Sequence, residues 1–203
     1  MASTQGLRER KNVEVKRALY TAAMDLFRQK GFDETSIDEI AERAGFSRAT
    51  FFNHFGAKQG VLRHYGQELQ SLVEQLIVGA DPTSDPVGLI REVVLMMARE
   101  AEEHLEEVKL IYAHSIRDPD YLFDPTPARK RVWEILTELV AEGQRRGQLR
   151  MDLPARELAL HIFSLYQGVV LAIVTGLGAA ESLLNSVWQF TLGGIKGDDS
   201  PAR

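Results

Sequence analysis

The chain of 203 residues contains no cysteine. That excludes disulfides and thiolate metal sites, so any stability comes from a packed core. Proline is sparse, at seven residues, and no stretch reads as a Val/Ile/Thr-rich hairpin with a turn dipeptide. Few interruptions and no strand signal leave helix as the main resource. The opening residues, MASTQGLRERK, are polar without an apolar run, which predicts no signal peptide and a cytoplasmic location. Glycine-rich phosphate loops and nucleophile elbows are absent. His64, His104, His114 and His161 have no carboxylate arrangement resembling a metal triad, and Glu102, Glu103, Glu106 and Glu107 read as a solvated face. No catalytic residue, metal site or cofactor is therefore assigned, and the chain is read as a non-enzyme.

What is present is apolar periodicity: hydrophobic residues make up 44% of the chain, enough for a sizeable core. Helices are predicted from Val13 to Lys30, Lys58 to about Val78, Pro86 to about Glu103, and Leu105 to Arg117. Others are predicted from about Ala128 to Gln144, Pro154 to Gly176, and about Glu181 to Gly193. Asp81 to Ser84 and Asp118 to Pro127 read as loops. The segment Leu158 to Ala180 has no charged residue over 23 positions, long enough to span a bilayer. His161, Ser164, Gln167 and Thr175 within it, and the lack of a flanking Lys/Arg cluster, favour a buried interface helix over a membrane span.

The densest signal lies between Thr35 and Lys58. Ser36 and Glu39 form a capping box. Ile37, Ile40, Ala41 and Ala44 make one apolar stripe, and Gly45 stands where a left-handed residue ends a helix. Ser47 caps a second short helix whose Phe51 and Phe55 face inward. Two helices around a short glycine-containing turn form a helix-turn-helix, whose second helix fits a DNA major groove. Net charge is −5, but it is unevenly placed. Residues 1–60 hold ten Lys/Arg and eight Asp/Glu; residues 61–203 hold fourteen and twenty-one. A mildly basic head on an acidic body suits a DNA-binding head better than the total suggests.

The segment from Val15 to Leu62 resembles the TetR family of transcriptional regulators. The resemblance rests on Ala22-Ala23, Leu26-Phe27, Gly31-Phe32, Thr35-Ser36, Ile40-Ala41, Ala44-Gly45, Phe51, His54-Phe55 and Lys58. A weaker likeness covers Gly147 to Ala159. It implies an all-α chain of about nine helices. Residues 1–57 would form a three-helix DNA-binding domain and 58–203 a helical ligand-binding and dimerisation domain. The implied function is a homodimeric repressor released from a palindromic DNA operator by a small apolar or amphipathic effector. The alternative is a helical sensor or scaffold dimer without specific operator binding.

By the same resemblance Arg48, Ala49, Thr50 and Asn53 stand at base edges or the adjacent backbone, and Ser36, Ser47, Thr50, His54 and Lys58 at phosphates or the helix start. The chemistry agrees: arginine offers a fork to guanine, asparagine a donor–acceptor pair to adenine, alanine or a threonine methyl a contact to thymine. Phe52 replaces the family's usual tyrosine and has no hydroxyl to offer a phosphate. Effector candidates are Met96, Met97, Tyr112, His114, Trp133, Phe163, Tyr166 and Gln167, the apolar and aromatic mixture a pocket needs. A dimer face is expected from Leu158, Ile162, Leu165, Val169, Ala172 and Ile173 with Leu184, Val187, Trp188 and Thr191.

Overall fold

The computed structural model describes residues 2–81, 83–117 and 127–195, and these contain nine helices. They are α1 (Ala2–Lys30), α2 (Ile37–Ala44), α3 (Arg48–Phe55), α4 (Lys58–Gly79), α5 (Pro86–Glu103), α6 (Leu105–Arg117), α7 (Pro127–Arg145), α8 (Ala155–Val174) and α9 (Ala180–Ile195). The expected loop at 118–126 lies outside the described residues, and Pro127 opens α7 instead of closing that loop. α1 begins at Ala2, eleven residues before the predicted start at Val13. Its first turns contain the poor helix formers Ser3, Thr4, Gly6 and Asn12 and no apolar stripe, so neither propensity nor periodicity gives a signal there.

The chain divides into two compact units, residues 1–65 with 109–124, and residues 66–108 with 125–203. In the first, α1 contributes Leu19, Ala22, Ala23, Met24 and Phe27 to a core that also takes Ile40, Phe51, Val61 and Leu62. Leu110 and Ile111 of α6 pack on that core. The unit therefore extends past the expected boundary at residue 57, because Val61 and Leu62 are buried in its core. Phe51 and Phe27 are at most 1% exposed. Each such burial stabilises by about 2–3 kcal/mol, and Phe51→Ala should cost about 3–5 kcal/mol.

In the second unit α5 is the central element, packing on α7, α8 and α9, while α8 also packs on α7 and α9. Asp85 caps α5, accepting from the Gly88 N–H at 2.9 Å, and Pro86 occupies the first turn where no N–H is needed. Ile90, Val93, Val94, Met97, Ala98 and Ala101 form the buried face of α5. Arg91 donates to Asn185 Oδ1 at 2.7 Å and Arg99 pairs with Glu181 at 2.9 Å, tying α5 to α9.

α8 is long and apolar enough to cross a membrane by length and composition. Leu158, Ala159, Ile162, Tyr166, Val169, Val170 and Ile173 on it are buried within the unit. This corrects the expected dimer face. Leu158, Ile162, Val169, Ile173, Leu184, Trp188 and Thr191 are already covered in a single chain, and Leu165, Ala172 and Val187 are half-buried. A helix apolar on nearly every side does not reveal by periodicity which side meets its own subunit. The opposite faces stay open: Leu160 is 47%, Leu171 52% and Phe190 84% exposed, with Ser164 and Gly168 exposed between the two leucines.

Candidate DNA-binding site

The site is built from α2, the turn at Gly45 and α3. Ser36 Oγ accepts from the Glu39 N–H at 3.2 Å, and Glu39 Oε2 accepts from the Ser36 N–H at 2.9 Å and from its hydroxyl at 2.8 Å. Lys30 adds a bond to Glu39 Oε1 at 2.5 Å. That lysine bond, followed by the Ser36 N–H and hydroxyl, holds the Glu39 carboxyl at about 2 instead of 4.5. Gly45 closes α2 with φ at 75°, a left-handed conformation in which a Cβ is strained. The Gly45 N–H reaches the Glu42 carbonyl at 3.0 Å and the Phe46 N–H the Ala41 carbonyl at 2.9 Å. Phe46, which no sequence motif marks, packs on the core just past this cap.

Ser47 starts α3 in extended conformation and accepts from the Thr50 N–H at 3.1 Å, while the two hydroxyls lie 2.8 Å apart. Phe51 is fully buried and Phe55 packs beside it, ring centres 5.4 Å apart. With that face fixed, Arg48, Ala49, Phe52 and Asn53 are exposed, and Thr50 and His54 are half-buried. The structure thus brings the expected base-reading residues onto one side of a short, doubly anchored helix.

Arg48 is not idle in the free protein. Its Nη1 donates to Asp38 Oδ2 of α2 at 2.6 Å, and its guanidinium lies 5.4 Å from the centre of the Phe52 ring. Phe52, at 40% exposed, serves as a platform for Arg48 where a tyrosine would have offered a hydroxyl. His54 is held below the usual histidine range, by burial first and then by the charge of Lys16.

Lys58 departs most from expectation. Its ammonium donates to the carbonyls of Phe32, Asp33 and Thr35 at 2.6, 3.2 and 2.9 Å and sits 4.4 Å from the Phe32 ring centre. Three N–H groups meet three carbonyls, so the side chain is engaged inside the unit and not held out for phosphate. The next turn contains Gly60, which carries no sequence signal either: a Cβ there would lie 1.9 Å from the Phe55 carbonyl oxygen. The backbones of the α3 end and the α4 start approach too closely for any side chain.

The effector candidates are divided between the two units. Trp133, Phe163 and Tyr166 form an aromatic row between α7 and α8, with centres 6.1 and 5.7 Å apart, and Met97 is buried on α5. Met96 and Gln167 are half-buried in the same unit. Tyr112 and His114 belong to the first unit, where the His114 ring lies 4.5 Å from that of Phe32. Tyr166 lines a crevice of about 10 Å³ with Val94, Leu165 and Trp188, room for about one water. Larger clefts, of about 310 and 350 Å³, flank the α4–α5 turn. The second is lined by Ile77, Val78, Pro86, Leu89 and Leu139 with Glu142 and Arg146. No sequence motif marks them, since they are made by a turn and the ends of three helices. Among the described residues no group of three or more His, Asp or Glu is placed to hold a metal ion.

Residues 19–65 match the profile described as bacterial regulatory proteins, tetR family. The transcriptional regulator TtgR of Pseudomonas putida is 24% identical over 165 residues, 77% of this chain and 79% of that protein. The transcriptional repressor KstR2 of Mycolicibacterium smegmatis is 29% identical over 150 residues, 68% and 71% of the two chains. FadR of Bacillus subtilis, solved with stearoyl-CoA, shares the fold at a TM-score of 0.73 and 18% identity, covering 88% of this chain and 98% of that one. The capped helix-turn-helix thus lies in the segment that matches the tetR-family profile, and the chain as a whole is similar to TetR-family transcriptional regulators.

Proposed function

We propose that the protein is a homodimeric cytoplasmic repressor that reads a palindromic operator with α3 and leaves it when the second unit takes up an apolar or amphipathic effector. The observation that carries this reading is the α3 surface. Phe51 and Phe55 lock one face of the helix into the core, leaving Arg48, Ala49 and Asn53 as an outward row with the chemistry for guanine, thymine and adenine. The dimer supplies two such rows about 34–36 Å apart.

Dimerisation uses the open faces of α8 and α9. Leu160, Ser164, Gly168 and Leu171 lie along one side of α8, and Ser182, Ser186 and Phe190 along one side of α9. Small residues between leucines allow close approach, and nothing in the chain lies within 4 Å of a Cβ placed on Gly168. α8 is then a core and interface helix, not a membrane span.

The effector class is supported by the relatives: FadR was solved with stearoyl-CoA and SmeT, at a TM-score of 0.72 and 19% identity, with triclosan. The aromatic row of Trp133, Phe163 and Tyr166 offers such molecules a flat apolar wall. Effector and DNA oppose each other when the effector prefers the conformation that misfits the operator, with a coupling of about 1–3 kcal/mol.

Selection of bound fragments from a genomic pool tests the reading. Wild-type protein should enrich a two-fold symmetric sequence, and Arg48→Ala should lose preference at one base pair in each half-site, by about 1–3 kcal/mol. Failure to enrich any sequence would favour the scaffold alternative.

A further inference from the structure

The helix-turn-helix is short of positive charge. Residues 31–58 hold Arg43, Arg48 and Lys58 against Asp33, Glu34, Asp38, Glu39 and Glu42, a net charge of −2. All three cations are already engaged: Arg43 donates to Gln29 at 3.1 Å, Arg48 to Asp38, and Lys58 to three carbonyls. DNA binding draws much of its affinity from neutralised phosphates, so the cations have to come from elsewhere.

The first turns of α1 contain them. Residues 2–17 hold Arg8, Arg10, Lys11, Lys16 and Arg17 against Glu9 and Glu14, a net charge of +3. Arg8, Arg10, Lys11 and Arg17 are exposed and, among the described residues, form no ion pair. Leu7 and Val13 are 68% and 66% exposed, so the chain covers this part of the helix on neither side. The first turn of α1 has no acidic residue to offset them. Four exposed cations of one sign, without an ion pair among the described residues, suit an anionic partner.

Lys16 shows where that partner lies. Its ammonium is 5.9 Å from the ring centre of Phe55, at the end of α3, and its charge reaches His54 strongly enough to disfavour a second cation there. The basic half of α1 and the C-terminal end of α3 therefore share one surface. An anion at that surface meets Lys16 and the His54 imidazole together, while a helix beginning well outside the core continues the contact away from the recognition face.

We propose that the N-terminal half of α1, anchored by Lys16 and extended by Arg10, Lys11 and Arg17, grips the DNA phosphate backbone flanking each half-site. This rests on the operator-binding reading above. The α1 contacts supply affinity without sequence preference, and Arg48 and Asn53 supply preference.

The test measures duplex binding by fluorescence anisotropy between about 50 and 200 mM salt. Two probes are used: the duplex selected by wild-type protein, and a random-sequence duplex of the same length. Removing one cation from a phosphate should lower the slope of log affinity against log salt by about 0.9. The triple variant Arg10→Gln, Lys11→Gln, Arg17→Gln and the single variant Lys16→Gln should both show flatter slopes on both probes. The selected sequence should stay the same, and Lys16→Arg should restore the slope. Trimming the flanks of the selected duplex should weaken wild type and leave the triple variant unaffected. If wild type binds its selected duplex and the variants keep its slope, the α1 contact is wrong and the operator reading stands. If wild type selects nothing, both fall.

Discussion

Replacing Lys58 by methionine keeps the aliphatic stem and deletes the ammonium that joins the α4 start to the turn after α1. Three carbonyl oxygens, those of Phe32, Asp33 and Thr35, are then left without this donor. The Asp33 bond is exposed and 3.2 Å long, so it contributes little. The other two are part-buried and accept from a charge; discounted for partial hydration they contribute about 1–1.5 kcal/mol each. The cation over Phe32 adds about 0.5–1 kcal/mol. Burial acts the other way and pulls the lysine below its usual range, which trims the total. The first unit should thus be destabilised by about 2–3 kcal/mol, and its slowest amides should exchange roughly 30- to 150-fold faster at 1.36 kcal/mol per decade. Hydrogen exchange is the suitable assay, because both tryptophans, Trp133 and Trp188, lie in the second unit and their fluorescence is blind to the first. The salt slope of DNA binding should not change. Wild-type exchange rates together with a slope lower by about 0.9 would mean that Lys58 holds a phosphate and that the carbonyl clamp is incidental.

Gly60→Ala should destabilise the first unit by more than about 2 kcal/mol, since the Cβ meets backbone and no side chain can move aside. Gly66→Ala, further along the same helix with open space around it, should stabilise by about 0.5–1 kcal/mol, and a thermal melt of both variants reads the contrast. The Glu39 carboxyl, depressed from 4.5 to about 2, gives stability that is complete above pH 4.5 and is lost as pH falls through about 2; acid titration of Glu39→Gln should lack that component. Phe190→Asp should yield folded monomers by sedimentation. Val169→Asp, at a buried site 2% exposed, should yield unfolded or aggregated chain; a folded monomer from Val169→Asp would return the dimer contact to the stripe read from sequence.

The features legible in the sequence are those written over a few residues. Ser36 with Glu39, Gly45 and Ser47 announce two helix starts and one stop, because a cap and its partner lie within one turn. Phe51 and Phe55 point inward as their spacing requires. Features that depend on distant partners are not legible. Lys58 bonds residues more than twenty positions earlier, so its charge alone suggests phosphate. Asp38 and Arg48 belong to different helices, and their pairing follows from how the turn folds back. On α8, apolar residues occupy almost every side, and only α5, α7 and α9 decide which side is inner. Tyr112 and His114 qualify as effector candidates on composition, yet α6 delivers them to the first unit. The early turns of α1 have no apolar residue in register, and the same lack of packing is what leaves their charges open to solvent.

The Arg48–Asp38 pair has a consequence for how an operator is found. A free arginine on the reading face would hold any phosphate it met, and the protein would dwell on every stretch of duplex. Here the guanidinium is already occupied, so contact with an arbitrary site offers only an exchange of one anion for another. Both side chains are more than half exposed, and such a pair contributes about 0–1 kcal/mol, small enough to open without delaying a correct match. Only a guanine edge, with two acceptors matching the fork, improves on the carboxylate. On the operator reading proposed above, opening this pair takes the same small free energy at every sequence: Asp38 shortens each stop by up to about fivefold, and the guanine fork alone lengthens the right one.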